Sequence, residues 1–269
     1  MRVSYYPGCA LHGSSSEYHD SIVTVCRYLG VELIEVPDWS CCGASAAHVM
    51  NDWLAVALPA RNLQIAEKMG MEMLVPCAAC YNRLKSAHKE IIRGSRNHGS
   101  TYTGNLVILH VNDLFQKPSL LQSLKERIVT TLDGLRAVPY YGCLTVRPPK
   151  IMVPENCEDP QGMDRILAAM GAEVVPWSFK TSCCGGNLVL TRTEIVRKLS
   201  GDLLEMALEA GGECLVSDCP MCQANLDTRQ AEVEQERGKK YNLPIFFITE
   251  LMGLALGAPE TAQWWKKHL

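Results

Sequence analysis

Ten of the thirteen cysteines in this 269-residue chain fall into two series with a common register. Cys9, Cys41, Cys42, Cys77 and Cys80 form the first; Cys143, Cys183, Cys184, Cys219 and Cys222 form the second. As spacings they are C-x31-CC-x34-C-x2-C and C-x39-CC-x34-C-x2-C, so the last four members repeat at an offset of 142 residues and the first at 134. The flanks repeat too. YYPGC at 5–9 resembles YYGC at 140–143, LGVELIEV at 29–36 resembles MGAEVVPW at 170–177, and MEMLVPCAAC at 71–80 resembles GECLVSDCPMC at 212–222. Self-similarity of this kind implies a duplicated unit, each copy carrying its own thiol set.

Between the cysteines, β-branched runs alternate with helical periodicity. RVSYYPGC reads as a strand ending at Cys9, and SSSEYHDSIVTVCRYLG as a helix opened by a serine cap and closed near Gly30. VELIEV is a second strand, after which Pro37 breaks the pattern ahead of Cys41 and Cys42. Residues 46–69 have helical periodicity with Pro59 as a kink or break between two helices. EMLV is a short strand running into Cys77, where CAACYNRLKSAHKEIIR starts a helix. The second half repeats the order: AVPYYGC, a helix over 161–170, AEVV, CCGG, a helix over 192–210, ECLV, then CPMCQANLDTRQAEVEQ. LPIFFITELMGLALG closes the chain as a strand and a helix.

This alternation predicts an α/β protein of two pseudo-two-fold-related βαβ (Rossmann-like) halves with parallel strands. All ten cysteines then lie at or just beyond C-terminal strand ends, the edge where open α/β sheets bind ligands. Cys42 and Cys77 are expected at helix N-termini, whose positive field favours thiolates. The expected organisation is a first cysteine domain over 1–93, a connector with one substantial helix over 94–138, and a second cysteine domain over 139–269.

A net charge of −3 with no basic stripe argues against nucleic-acid binding. The run EVEQERGKK at 232–240 reads as a solvated helix end. MRVSYYPGC has neither an apolar h-region nor a cleavage site, and no window is apolar over the length a spanning helix needs. A cytoplasmic protein is expected, or one held at a membrane only through a partner. In a reducing compartment so many cysteines favour metal ligation or redox chemistry over disulfides.

Several chemistries compete for the thiols. A structural zinc site uses four ligands, usually two C-x2-4-C knuckles, and would leave one cysteine of each five idle. The C-x2-C-x2-C-x3-C-P run of regular cubane sites is not present. A thioredoxin-like dithiol at Cys77/Cys80 or Cys219/Cys222 leaves the vicinal pairs unexplained. Iron–sulfur ligation by all five thiolates accounts for every position. Neighbouring side chains at 41 and 42 do not easily reach separate corners of one cubane; an opened cluster with a bridging thiolate relieves that geometry.

The doubled C-x31–39-CCG-x33–34-C-x2-C pattern resembles the cysteine-rich CCG domain family. Length, motif order, the YYPGC opening and the ITELMGLALG ending resemble the B subunits of heterodisulfide reductases across essentially the whole chain. The resemblance implies two noncubane [4Fe-4S] clusters facing each other across a pseudo-two-fold axis. Cys9, Cys41, Cys42, Cys77 and Cys80 would hold the first, and Cys143, Cys183, Cys184, Cys219 and Cys222 the second. It also implies an oxidoreductase acting on a sulfur group. In that family a disulfide (coenzyme M joined to coenzyme B in methanogens) is split between the clusters, and the resemblance implies electrons arriving through an iron–sulfur C subunit from a flavin-bearing A subunit that bifurcates electrons. CCG domains also occur in succinate-dehydrogenase-like and lactate-utilisation settings, so the alternative is a non-catalytic electron-transfer subunit serving another oxidoreductase. Two departures stand out: Ser217-Asp218 precedes the second C-x2-C where the first half has Val75-Pro76, and Cys214 is an extra thiol.

The remaining candidates carry less. Cys26, Cys157 and Cys214 read as structural thiols. His12, His48 and His110 are candidate proton donors whose blander reading is surface or satisfied core. Arg147, Lys150 and Lys180 are candidates to meet an anionic substrate, a role that position along the chain does not establish, and Trp264-Trp265 is either an apolar docking patch or a packed C-terminal helix.

Overall fold

The structure, a computed structural model, describes residues 1–44, 46–94 and 99–268. Residues 45, 95–98 and 269, which fall in the expected first domain, connector and second domain, lie outside the described residues. Strands β1 (Arg2–Tyr5), β2 (Glu32–Glu35), β3 (Met73–Leu74) and β4 (Ile108–Leu109) form one sheet in the order β2-β1-β3-β4. Strands β5 (Arg136–Tyr140), β6 (Glu173–Val174), β7 (Cys214–Ser217) and β8 (Ile245–Phe247) form a second in the order β6-β5-β7-β8. Every pairing is parallel, and the two topologies correspond strand for strand. In both, the strand order reverses beside the first strand, which opens a crevice at the C-terminal edge.

The first half and the segment after it carry helices α1 (Gly8–His12), α2 (Ser16–Tyr28), α3 (Ala47–Met50), α4 (Leu54–Glu67), α5 (Ala78–Ile92), α6 (Val111–Phe115) and α7 (Pro118–Arg127). The second carries α8 (Pro149–Met152), α9 (Gly162–Ala169), α10 (Thr193–Glu209), α11 (Pro220–Asp227), α12 (Gln230–Arg237), α13 (Ile248–Ala255) and α14 (Thr261–Trp264).

Strand residues alternate between two cores, as a period-2 backbone demands. Val3, Tyr5, Leu74 and Leu109 of the first sheet share one apolar core with Ala137, Cys214, Val216 and Phe247 of the second. Met73, Val75 and Ile108 face the opposite way, against α4 and α5, while Val138, Tyr140 and Leu215 face α10 and α11. Both faces of each sheet are thus covered, which a parallel sheet requires. The shared core is lined by α2, α6, α7, α9 and α13, and the halves meet where α13 packs on α2 and where α6 and α7 pack on α9.

Local expectations need four corrections. The first strand ends at Tyr5, and Cys9 sits instead in the first turn of α1, because Pro7 leaves the ladder and Gly8 turns the chain at φ +69°. Cys42 opens no helix; it lies in a loop that reaches α3 only at Ala47. Pro59 sits inside α4, and the break falls earlier at Asn51, whose Oδ1 accepts from the backbone N–H groups of Trp53 and Leu54 at 2.8 and 3.0 Å. The segment LVILHVNDLF is β4 followed by the short α6, so the expected connector supplies the fourth strand of the first sheet and its longest helix is α7. The helix expected through EVEQERGKK is α12, closed by Gly238 in the left-handed region.

Candidate metal centres

Each cysteine set gathers at the C-terminal edge of its own sheet. In the first, Cys42 Sγ lies 3.2 Å from Cys80 Sγ; in the second, Cys184 Sγ lies 3.5 Å from Cys222 Sγ. These are thiol contacts, and all thirteen cysteines are unbridged. The hydrogen bond from Cys80 pulls Cys42 down to about 7, and the bond from Cys222 does the same for Cys184. Cys143 donates to Cys183 and brings it to about 6. Burial and then the neighbouring thiols Cys41, Cys77 and Cys42 push Cys9 up, so its field links it to the rest of its set. The sequence-derived sets are therefore brought together as two groups of five. Among the described residues, no three or more His, Cys, Asp or Glu side chains are arranged as ligands of a single metal ion.

The surroundings of the two sets match closely. Tyr6 donates its hydroxyl to the Ser40 carbonyl at 2.7 Å, and Tyr140 to the Ser182 carbonyl at 2.7 Å, which fixes the residue before each vicinal pair. The Gly43 N–H points at Cys41 Sγ at 3.4 Å and the Gly185 N–H at Cys183 Sγ at 3.3 Å. Gly8 and Gly142 adopt φ +69° and +63°, and a Cβ there would stand 3.1 Å from Cys80 Sγ and 3.0 Å from Cys222 Sγ. Only glycine meets both demands at these positions. Arg83 and Asn225, equivalent under the 142-residue offset, support the second cysteine of each pair. The Arg83 charge favours the Cys42 thiolate, and Asn225 Nδ2 donates to Cys184 Sγ at 3.4 Å.

The sets adjoin across the seam between the halves. Ala78, inside the first C-x2-C, helps line a cavity of about 20 Å³ walled by Cys143, Cys183, Cys184, Cys219 and Cys222. Met221, inside the second, packs against the cores of both sets. Tyr18 is fully buried between them, its hydroxyl donating to the Asp218 carbonyl at 2.9 Å, and feels the fields of both Cys219 and Cys77.

Other sequence candidates resolve differently. Cys26 and Cys214 are buried, and burial pushes both up to about 12, as inert core thiols require. Cys157 is half-buried in a loop. Lys180 is buried in ion pairs with Asp159 and Asp164, and Arg147 pairs with Glu158, so neither is a free cation at the site; Lys150 is exposed. Trp264 is buried against Gly253, as the packed-helix reading expects. His12 stacks on Trp39 and His48 is half-buried, whereas His110 is buried at the seam. Sequence reasoning missed the matched tyrosines, glycines and the Arg83/Asn225 pair. The signal was present: Tyr6 and Tyr140 both lie three residues before the first cysteine of their set, and Arg83 and Asn225 three residues after the last.

A duplicated α/β fold with a five-thiol centre at the same edge of each copy defines a class of cysteine-rich redox proteins. The cysteine-rich domain family (CCG) matches residues 3–85 and 138–227, and the chain belongs to it. It is homologous, at moderate identity, to the B subunits of heterodisulfide reductases. The B subunit of the ferredoxin/F420H2-dependent CoB-CoM heterodisulfide reductase of Methanosarcina acetivorans is 29% identical over 95% of this chain and 89% of that protein. The 8-methylmenaquinol:fumarate reductase membrane anchor subunit of Wolinella succinogenes is 30% identical over 95% of this chain and 92% of that protein. A hypothetical protein from Helicobacter pylori shares the fold, with a TM-score of 0.78 at 12% identity over 99% of this chain and 51% of its own.

Proposed function

We propose that the chain is the iron–sulfur subunit of a heterodisulfide-reductase-type complex and the place where a small-molecule disulfide is reduced to two thiols. The observation that carries this reading is the pair of matched five-thiol sets meeting at one seam. Cys9, Cys41, Cys42, Cys77 and Cys80 would hold one noncubane [4Fe-4S] cluster, and Cys143, Cys183, Cys184, Cys219 and Cys222 the other. The donor chemistry fits: ten soft sulfur ligands, lowered thiols at Cys42, Cys183 and Cys184, and glycines at 8 and 142 that keep side chains out of both cages. Such clusters supply electrons to a bound sulfur atom. The protein's own residues do the placing. Tyr6 and Tyr140 anchor the vicinal pairs through Ser40 and Ser182, while Ala78 and Met221 bring each C-x2-C against the opposite half. Electrons would come from an iron–sulfur C subunit and a flavin-bearing A subunit of a bifurcating complex in the cytoplasm. No described helix is long and apolar enough to cross a membrane.

The Wolinella relative favours a second reading, in which the same clusters pass electrons within a fumarate-reductase-type complex and no disulfide is bound. EPR on anaerobically reconstituted protein, oxidised with and without coenzyme M, separates the two. A thiol-dependent paramagnetic signal is expected; intact clusters indifferent to every thiol would sink the disulfide reading and leave the second.

A further inference from the structure

The seam between the halves contains two junctions related by the duplication. At one, α2 meets α13; at the other, α9 meets α6. Their equivalence is detailed. Phe247 and His110 each follow or end the fourth strand of a sheet, and each has its backbone N–H bound by the carboxylate three residues on, Glu250 at 2.8 Å and Asp113 at 2.9 Å. Thr249 and Asn112 come two residues later. Opposite them stand Ser21 of α2 and Gly162 of α9.

The first junction is filled. Tyr18 stacks on Phe247 with ring centroids 4.0 Å apart, and the Ser21 and Thr249 hydroxyls meet at 2.7 Å. The second is hollow. A cavity of about 90 Å³ runs inward from exposed Glu155 past Gly162 to His110, Asn112, Tyr81 and Tyr141. That volume takes several waters, and the lining is polar enough to hold them. Asn112 Oδ1 is buried there with no hydrogen-bond partner among the described residues, an acceptor that calls for a donor from within the cavity. His110 Nε2 lies 2.8 Å from the Pro76 carbonyl, which can only accept, so the ring proton is on Nε2, and Nδ1 faces Asp218 Oδ2 at 3.5 Å.

The inner lining of the cavity comes from residues next in the chain to both thiol sets. Tyr81 immediately follows Cys80, and Tyr141 comes two residues before Cys143. His110 itself touches the residue before each C-x2-C, Pro76 at 2.8 Å and Asp218 at 3.5 Å.

We propose that this cavity is a one-sided water passage that supplies the protons for disulfide reduction, with His110 and Asn112 as the positioning residues that order its water. The inference rests on the disulfide reading above. Reduction of R–S–S–R′ breaks the S–S bond, takes two electrons from the low-potential iron–sulfur donor and takes two protons from water, giving RSH and R′SH. The filled junction has no room for the water that would deliver them; the hollow one has.

The test uses the full chain reconstituted with iron and sulfide, reduced viologen as electron donor and the coenzyme M–coenzyme B disulfide as probe. Two variants close the passage independently: His110→Phe copies the filled junction, and Gly162→Val places its Cβ against Gln116 and Asn112, 3.2 and 3.3 Å away. Both are expected to retain iron content and dye-reduced spectra, to reduce disulfide at least tenfold more slowly, and to show a larger solvent deuterium isotope effect. Deuterium uptake by the 110–116 backbone, read by mass spectrometry without turnover, is expected to slow at least tenfold in Gly162→Val. Variants that fold, load iron and reduce disulfide at the parental rate overturn the proton role. Unchanged deuterium uptake overturns the passage itself. Parental protein that reduces no disulfide overturns the proposed function and the proton role together, while deuterium uptake still decides whether the passage carries water.

Discussion

The thiol cages and the junctions between the halves teach opposite lessons about one duplication. Around the cysteines the copies agree closely: the tyrosine-to-serine hydrogen bonds are both 2.7 Å, and the glycine-to-sulfur approaches are 3.4 and 3.3 Å. At the junctions they part, with a stacked Tyr18–Phe247 pair on one side and a polar cavity around His110 and Asn112 on the other. On the proposed function both cages hold the same group, which leaves little room for variation. A seam needs only to be packed, and the side left unpacked is free to be wet.

The largest effect expected tests the equality of the cages. If each set holds one [4Fe-4S] cluster, as proposed, Cys42→Ser and Cys184→Ser should each remove one, lowering iron from about eight to about four per chain. Iron and sulfide analysis checks this, and a variant that empties both cages would mean the sets do not load independently. Next, Gly8→Ala and Gly142→Ala should cause similar partial losses of iron, since each forces a side chain into the left-handed region and against a cysteine sulfur. Unequal losses would break the equivalence.

At the junctions the asymmetry should appear in stability. Tyr18→Ala should cost about 3–5 kcal/mol, the usual range for removing a buried aromatic ring. Urea denaturation of iron-free protein measures it, and a cost near that of a surface change would show the filled junction to be loosely packed. His110 should make the hollow side sensitive to pH. Burial lowers it to about 4, with the Lys85 charge adding to this and Asp113 and the Pro76 carbonyl opposing; Asp218 and the Tyr81 ring also face it. A group depressed on folding stabilises above its ordinary pKa of about 6.5 and loses that contribution as pH falls through the folded value. Stability should therefore drop by up to about 3 kcal/mol between pH 6.5 and 4 on this account, and His110→Gln should flatten that part of the slope. The smallest effect is expected from Asn112→Ala, about 1 kcal/mol, because among the described residues its side chain makes one protein hydrogen bond, from Nδ2 to Asp218.

The cage residues and the alternation of strand and helix were legible because both are periodic: cysteines in register, and hydrophobic runs switching between periods of two and 3.6. Helix α5 starts where Cys77 predicts, and α9 and α10 fall within a residue of 161–170 and 192–210. What escaped depends on partners distant in sequence. Nothing near Tyr6 announces that its hydroxyl meets the Ser40 carbonyl. Pro59 looks like a break because local propensity penalises it, but packing of α4 on α5 carries the helix through. Asp218 looks like a minor departure from Pro76, and only the fold places it beside His110 and Asn112.

The core shared by both sheets bears on how the chain folds. Leu251, Met252 and Ala255 of α13, with Leu256 after it, belong to the same apolar cluster as Tyr18, Ile22 and Val25 of α2. Part of α2 packs within its own half, on α1 and β2, but the face that meets α13 stays uncovered until the second half is in place. Folding should then be all-or-none across both halves, and neither half is expected to mature on its own.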